Sequence, residues 1–294
     1  MEKDLPYVDS GDDAQRLDLY LPSQPPEKPL PLIVHIHGGG WRGGNKFPCP
    51  VVGMALRGYG VASVEYRFSQ KALFPAQIQD CQAAIRWLKA NAAGYGLDAS
   101  RVGVIGASAG GHLCALVGTS GGKGVFPVIG GNPGESDRVQ AVCDIYGPTD
   151  FSTVVQQAAD DPNVRNIFRF NAPSDPYSSL IGVSLDHRDK TVSVSPVTYV
   201  TSDTPPFLIL HGTHDALVPL AQSEELLQVL QQKGVRSWLQ RLPGSGHGGA
   251  AFTRPQILKL TFDFFERHLK GADVVLETVP ERELAVDPPS AGSK

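Results

Sequence analysis

Short runs of apolar, often β-branched residues, several ending in glycine, alternate along the chain with longer segments of helical period. Residues 17–21 read Leu, Asp, Leu, Tyr, Leu, an alternation that predicts a half-exposed edge strand. Residues 31–37 (Pro-Leu-Ile-Val-His-Ile-His) and 61–66 are apolar nearly throughout, as strands buried on both faces are. In 76–91, Ile78, Cys81, Ile85 and Leu88 recur at spacings of three or four with Trp87 beside them, which predicts an amphipathic helix. The same reading gives strands at 101–105, 139–146, 207–211 and 237–242, and helices at 108–117, 220–232 and 255–269. Strands alternating with helices predict an α/β fold: one domain over 1–294 whose doubly wound, mostly parallel sheet is covered on both faces.

Two stretches break the alternation. Residues 118–134 are rich in glycine and read as loop. Residues 148–204 carry Pro162, Pro173, Pro176 and Pro196 between short helical patches, too long for an ordinary connection, and are expected to be a cap or binding insertion. The tail, 271–294, has no period and is expected to be loosely attached.

Composition narrows the choice of function. The chain has 294 residues, 41% apolar and 19% charged, with 32 Gly and 24 Pro, which suits a compact globular enzyme better than a disordered chain. A net charge of −4 argues against a cationic surface, so neither nucleic acid nor an anionic membrane is an expected partner. Apolar runs such as 207–210 fall far short of the ~20 residues that span a bilayer. The opening Met-Glu-Lys-Asp-Leu-Pro has neither the basic nor the apolar part of a signal peptide. The expectation is a cytoplasmic protein, or an exported one whose leader has been removed. Cys49, Cys81, Cys114 and Cys143 form no CxxC pair and read as free thiols. Oligomeric state is not set by any of this.

Gly-x-Ser-x-Gly occurs twice, around Ser108 and around Ser120. A nucleophilic serine of this type needs a strand entering, a strained turn exposing the hydroxyl, and a helix leaving. Ser108 follows Arg-Val-Gly-Val-Ile and precedes His-Leu-Cys-Ala-Leu-Val, whereas Ser120 follows a helix and runs into glycine-rich loop, so Ser120 reads as an ordinary loop serine. A hydroxyl is a poor nucleophile without a base to take its proton. His112 lies on the helix behind Ser108 and is set aside. His268 sits on the last helix and reads as a surface or packing residue. His247, in Pro243-Gly-Ser-Gly-His-Gly-Gly249, lies in a flexible loop after a strand. Asp215 follows the strand 207–211 and is placed to orient that imidazole. The order Ser108, Asp215, His247 differs from the orders of the chymotrypsin and subtilisin types. His37-Gly38-Gly39-Gly40-Trp41 directly follows a strand, and its bare glycine amides suit an oxyanion. Ala109, next after the nucleophile, offers a second amide, and Trp41 is either a wall of the substrate pocket or a packing residue.

On these motifs, together with Tyr146-Gly-Pro-Thr-Asp150 and Gly212 to Pro219, the chain resembles an α/β-hydrolase of the esterase/lipase group, most nearly the bifunctional feruloyl and acetyl esterase-like family. The resemblance implies Ser108 as nucleophile, His247 as base, Asp215 as its orienter, Gly39, Gly40 and Ala109 as oxyanion donors, and no cofactor. It implies hydrolysis of short-acyl or aryl esters, acetyl or feruloyl groups on carbohydrate, so the expected partner is a small-molecule or oligosaccharide ester. Hormone-sensitive-lipase-like esterases share the HGGG motif but carry a helical cap ahead of it; only 36 residues precede His37 here. Amide or peptide hydrolysis on the same fold is one alternative. A metal hydrolase is another: His35 and His37 alternate on a strand as HxH ligands do, with His211 and His214 as further donors.

Overall fold

The computed structural model describes residues 1–24, 27–164, 170–172 and 174–284. Eight strands form one sheet: β1 (Glu2–Pro6), β2 (Arg16–Tyr20), β3 (Leu30–Ile36), β4 (Gly60–Val64), β5 (Leu97–Ala107), β6 (Ala141–Ile145), β7 (Phe207–Gly212) and β8 (Ser237–Leu242). Their spatial order is β1-β2-β4-β3-β5-β6-β7-β8. Only β2 runs antiparallel to its neighbours; β4, β3 and β5 to β8 are parallel throughout. The helices are α1 (Ala76–Ala90), α2 (Ala109–Ser120), α3 (Val154–Asp160), α4 (Pro176–Ile181), α5 (Arg188–Val194), α6 (Leu220–Gln232), α7 (Pro255–Lys270) and α8 (Glu281–Leu284).

The period of two along each strand divides the apolar residues between two cores. On β3, Leu32, Val34 and Ile36 face α1, α2 and α6, meeting Ile78, Ile85, Leu113 and Leu226. Ile33 faces the other way and joins Phe264 and Phe265 of α7. This is the doubly wound, mostly parallel sheet that the alternation predicts. It brings the C-terminal ends of β3, β5, β6, β7 and β8 to one edge, where open α/β sheets bind their ligands.

Several expectations need correction. The strand at 17–21 is neither half-exposed nor at the edge: β2 lies between β1 and β4 with Leu17 to Tyr20 buried. Asp18, which made the run look half polar, is itself buried and pairs with Lys46 Nζ at 2.9 Å. Glycine at 118 did not end the helix, because α2 continues through Ser120. Ser120 is therefore a buried helical serine, its hydroxyl donating to Leu116 O at 2.6 Å and accepting from Gln82 Nε2 at 3.3 Å. The tail is docked through residue 284: Val279 N–H donates to Gln240 Oε1 at 2.6 Å, and Leu276 and Leu284 are buried in the second core. Its last residues, 285–294, lie outside the described residues, as does Pro173 of the expected insertion. All four cysteines are unpaired and buried. Among the described residues no helix is long and apolar enough to cross a membrane.

Candidate active site

Ser108 sits in the one-residue turn between β5 and α2 at φ 57, ψ −122, a backbone region that a residue with a Cβ occupies only under strain. The turn is held by Ser108 N–H donating to Ile145 O at 2.8 Å and by His112 N–H donating to Ser108 O at 3.0 Å. Close packing also holds it. A Cβ on Gly110 would lie 2.1 Å from Ile36 O, so only glycine lets α2 cross the end of β3 here.

His247, in the loop after β8, reaches the serine. Its Nε2 lies 2.8 Å from Ser108 Oγ and its Nδ1 lies 2.7 Å from Asp215 Oδ2. The carboxylate accepts from Nδ1–H, which leaves Nε2 as the bare nitrogen facing the hydroxyl. Asp215 is buried, and its Oδ1 accepts from the N–H groups of Leu217 at 2.8 Å and Val218 at 3.0 Å. Burial favours its protonated form, but hydrogen bonds from His211 and His247 outweigh that and hold the carboxyl well below the usual range.

The loop after β3 supplies the amides. Gly39, Gly40 and Trp41 all have positive φ, at 118°, 60° and 56°. A Cβ on Gly39 would fall 2.1 Å from Gly43 O. Arg42 N–H and Gly43 N–H both donate to Gly39 O at 3.1 Å, closing the turn. Among the described residues nothing accepts from the N–H groups of Gly39, Gly40 or Ala109. Ala109 opens α2, where amide groups lack intrahelical partners and the helix dipole favours negative charge.

These groups line one cavity of 410 Å³ with Ser108 and His247. Among the described residues of 148–204, Pro148, Pro176 and Tyr177 roof it. That segment is anchored at Arg42 Nη1, which donates to Ser174 O at 2.8 Å, and within it the buried carboxylate of Asp175 caps α4. Trp41 both lines the cavity and packs. Its ring meets those of Phe151 and Tyr177, and its Nε1–H donates to His112 Nδ1 at 3.1 Å.

Three residues near the site have roles that the sequence reading did not assign to them. His112 lies at the join of Trp41, α2 and the roof, because its Nε2–H also donates to Val194 O at 2.8 Å. His211, fully buried on β7, places Nε2 3.3 Å from Asp215 Oδ2. Tyr146, at φ 43 after β6, lays its ring against His247 with centroids 4.5 Å apart. Only Tyr146 had a local signal, a residue followed by Gly-Pro directly after a strand. Asp144 lies beneath the turn: Oδ1 accepts from Gly147 N–H at 2.9 Å, and Oδ2 has no partner among the described residues. Burial pushes its carboxyl up to about 7.

The metal alternative is not assembled. β3 ends at Ile36, so strand alternation no longer governs His37, and the two rings have separate surroundings. His35 Nδ1 bonds Ser63 Oγ at 2.9 Å; His37 stacks on Tyr66 and bonds Glu65 Oε1 at 3.0 Å. His211 is committed to Ser223, Val218 and Asp215, while His214 is exposed beside Thr213. Among the described residues no three His, Cys, Asp or Glu side chains are grouped to hold a metal ion.

Comparison with known proteins bears on this geometry. The sequence model of the BD-FAE family matches residues 17–230. Esterase LipC of Mycobacterium tuberculosis is 31% identical over 246 residues, which is 81% of this chain and 58% of LipC. The chain thus spans little more than half the length of such curated relatives. Among solved structures, a truncated carbohydrate esterase from gut microbiota superposes with a TM-score of 0.81 at 31% identity, covering 91% of this chain and 95% of that one. A bifunctional GH43-CE protein of Bacteroides eggerthii gives 0.79 at 34% identity, over 91% of this chain and 35% of its own. The sheet and its flanking helices are those of the α/β-hydrolase fold.

Proposed function

The chain belongs to the BD-FAE family of α/β-hydrolase esterases, and on that premise we propose that it is a serine carboxylic-ester hydrolase acting through an acyl-enzyme on short-acyl or aryl esters of carbohydrate. One observation carries the reading: His247 stands between Ser108 Oγ and Asp215 Oδ2 at 2.8 and 2.7 Å. Ser108 Oγ attacks the ester carbonyl as its proton passes to His247 Nε2, and Asp215 stabilises the imidazolium that forms. The carbonyl oxygen becomes an oxyanion beside the amides of Gly39, Gly40 and Ala109, preorganised donors that need no rearrangement when the charge develops. Collapse expels the alcohol, which takes the proton from His247, and leaves the acyl group on Ser108. Water then gives a proton to His247 as it attacks the acyl carbonyl, and the acid is released when the bond to Ser108 Oγ breaks and that oxygen takes the proton back from His247.

The carbohydrate side of the proposal is supported by the two structural relatives, one a carbohydrate esterase and one a bifunctional GH43-CE protein. Of the segment 148–204, the cavity is lined by Pro148, Pro176 and Tyr177, a small apolar set that suits a short acyl group better than a long alkyl chain. A panel of acetylated xylan, methyl ferulate and simple aryl esters, with the matching anilides, tests it. Turnover of the anilides above the esters would replace this reading with amide hydrolysis.

A further inference from the structure

We propose that a second cavity, on the α7 face of the sheet, is a binding site for a small hydroxylated carboxylic acid with an apolar body. The cavity is 670 Å³ in volume, within the usual range for a small-molecule site. It lies between the 3-10 turn Val52–Arg57, the start of α7 and the ends of β3, β5 and β7. Met54, Ile105, Leu210, Phe252 and Phe262 make its walls. Two of its polar side chains, His35 and Arg57, set the chemistry of a ligand.

The first is His35, 94% buried, since its exposure is 6%, and lining the cavity. Ser63 Oγ gives its single proton to Lys46 O at 2.7 Å, so toward His35 Nδ1, at 2.9 Å, it must accept. The ring therefore carries its proton on Nδ1. Burial pushes its pKa down to about 3, so it stays neutral and Nε2 keeps a bare lone pair. Nε2 has no hydrogen-bond partner among the described residues, and the ring lines the cavity. A bare acceptor there is open to a donor, and a ligand hydroxyl supplies one.

The second is Arg57, exposed at the mouth. Its guanidinium lies 4.2 Å over the Phe262 ring and meets no carboxylate among the described residues. The other cation there, Lys259, is already joined to Asp263 at 2.5 Å. A guanidinium stacked on an aromatic wall is held flat and is suited to a carboxylate. Hydroxyl inward, apolar body between, carboxylate outward: the walls and these two groups together describe that class of ligand. An occupant would also touch Tyr146 and Ala107, which both cavities share, and Phe252, which packs on Tyr146 at 4.9 Å.

The test is calorimetric titration of the full chain with para-hydroxyphenylpropionate, with phenylpropionate and tyrosol as probes lacking the hydroxyl and the carboxylate. We expect saturable binding of the first and at least about fivefold weaker binding of each of the others. Arg57→Ala should weaken binding about tenfold and make it insensitive to salt. Gly53→Trp should abolish it, because a Cβ at Gly53 meets nothing within 4 Å and the indole is free to fill the mouth. Both variants should label with a fluorophosphonate like the parent protein. Binding that survives both substitutions would place the acid in the Ser108 cavity and overturn the proposal, as would the absence of saturable binding to the parent. None of these readouts depends on ester turnover.

Discussion

Asp215 Oδ2 is held by a second histidine: His211 Nε2 lies 3.3 Å away, with both side chains fully buried. His211 Nε2 also bonds Val218 O at 3.1 Å and Nδ1 bonds Ser223 Oγ at 2.7 Å, so the ring ties β7, the turn carrying Asp215 and α6 into one unit. Replacing it with Phe strands two buried polar groups and should cost about 1–3 kcal/mol of stability. The fluorophosphonate labelling rate should fall with it, because Asp215 loses a donor that fixes its angle to His247. An unchanged labelling rate in folded His211→Phe protein would show that the turn alone positions Asp215.

The two Gly-x-Ser-x-Gly serines should separate cleanly. Ser108→Ala should abolish labelling and lower kcat by about three orders of magnitude or more. Ser120→Ala should label and turn over normally, yet unfold about 1 kcal/mol more easily, because it loses the bonds to Leu116 and Gln82. Persistent labelling of the Ser108 variant would reassign the nucleophile.

Acyl-chain length reads the shape of the 410 Å³ cavity. p-Nitrophenyl acetate and butyrate should be hydrolysed far better than the dodecanoate. A deep apolar tunnel would gain about 0.8 kcal/mol per buried methylene, and kcat/KM would then climb with length. A steady climb to the dodecanoate would make this a lipid-ester hydrolase.

Acid should destabilise the fold through two neutral buried rings. Burial pushes His35 down to about 3 and His112, against a smaller upward pull from its bond to Val194, to about 4. Unfolded histidine takes up its proton near pH ~6.5. Below that pH the unfolded state holds more protons than the folded one, so stability is whole above pH ~6.5 and falls as pH drops. Each ring contributes a slope of about 1.4 kcal/mol per pH unit across its window. Urea midpoints from pH 4.5 to 7.5 would show this, and a flat series would contradict it.

Asp144 acts with the opposite sign. Its folded pKa is raised by burial to about 7, against about 3.9 for an unfolded aspartate, so here the folded state holds the extra proton. Its contribution is harmless below pH ~4 and costs stability progressively up to pH ~7, about 4 kcal/mol in all. Asp144→Asn should therefore gain stability at pH 8 relative to its own value at pH 4, by comparison with the parent. Parallel pH curves for the two proteins would mean that Asp144 is ionised in the folded state.

Much of this geometry was legible in sequence because its signals are local. Ser108 stands between an apolar run and a helical period, and the glycines after His37 follow a strand directly. Other features depend on contacts far along the chain. β1 reads Glu-Lys-Asp-Leu-Pro and joins the sheet only by pairing with β2, which buries what looked like an edge. Asp18 looks like a solvent residue until Lys46 is brought beside it. His211 lies in an apolar strand, and its link to Asp215 exists only once the chain turns after Gly212.

The turn at Ser108 rests on backbone and on the carboxylate of Asp144. Gly110 lies on the carbonyl of Ile36, and a Cβ on Gly111 would meet Asp144 Oδ1 at 2.3 Å. The base of the site is thus closely packed, and a single added methyl group would displace the serine. The roof is different: it hangs from Arg42 and His112, and its Pro148, Pro176 and Tyr177 are ordinary side chains lining the cavity. Variation in substrate has somewhere to go, and it is upward. Grafting another roof between residues 148 and 204 should change which alcohols are accepted while leaving the reactivity of Ser108 as it was.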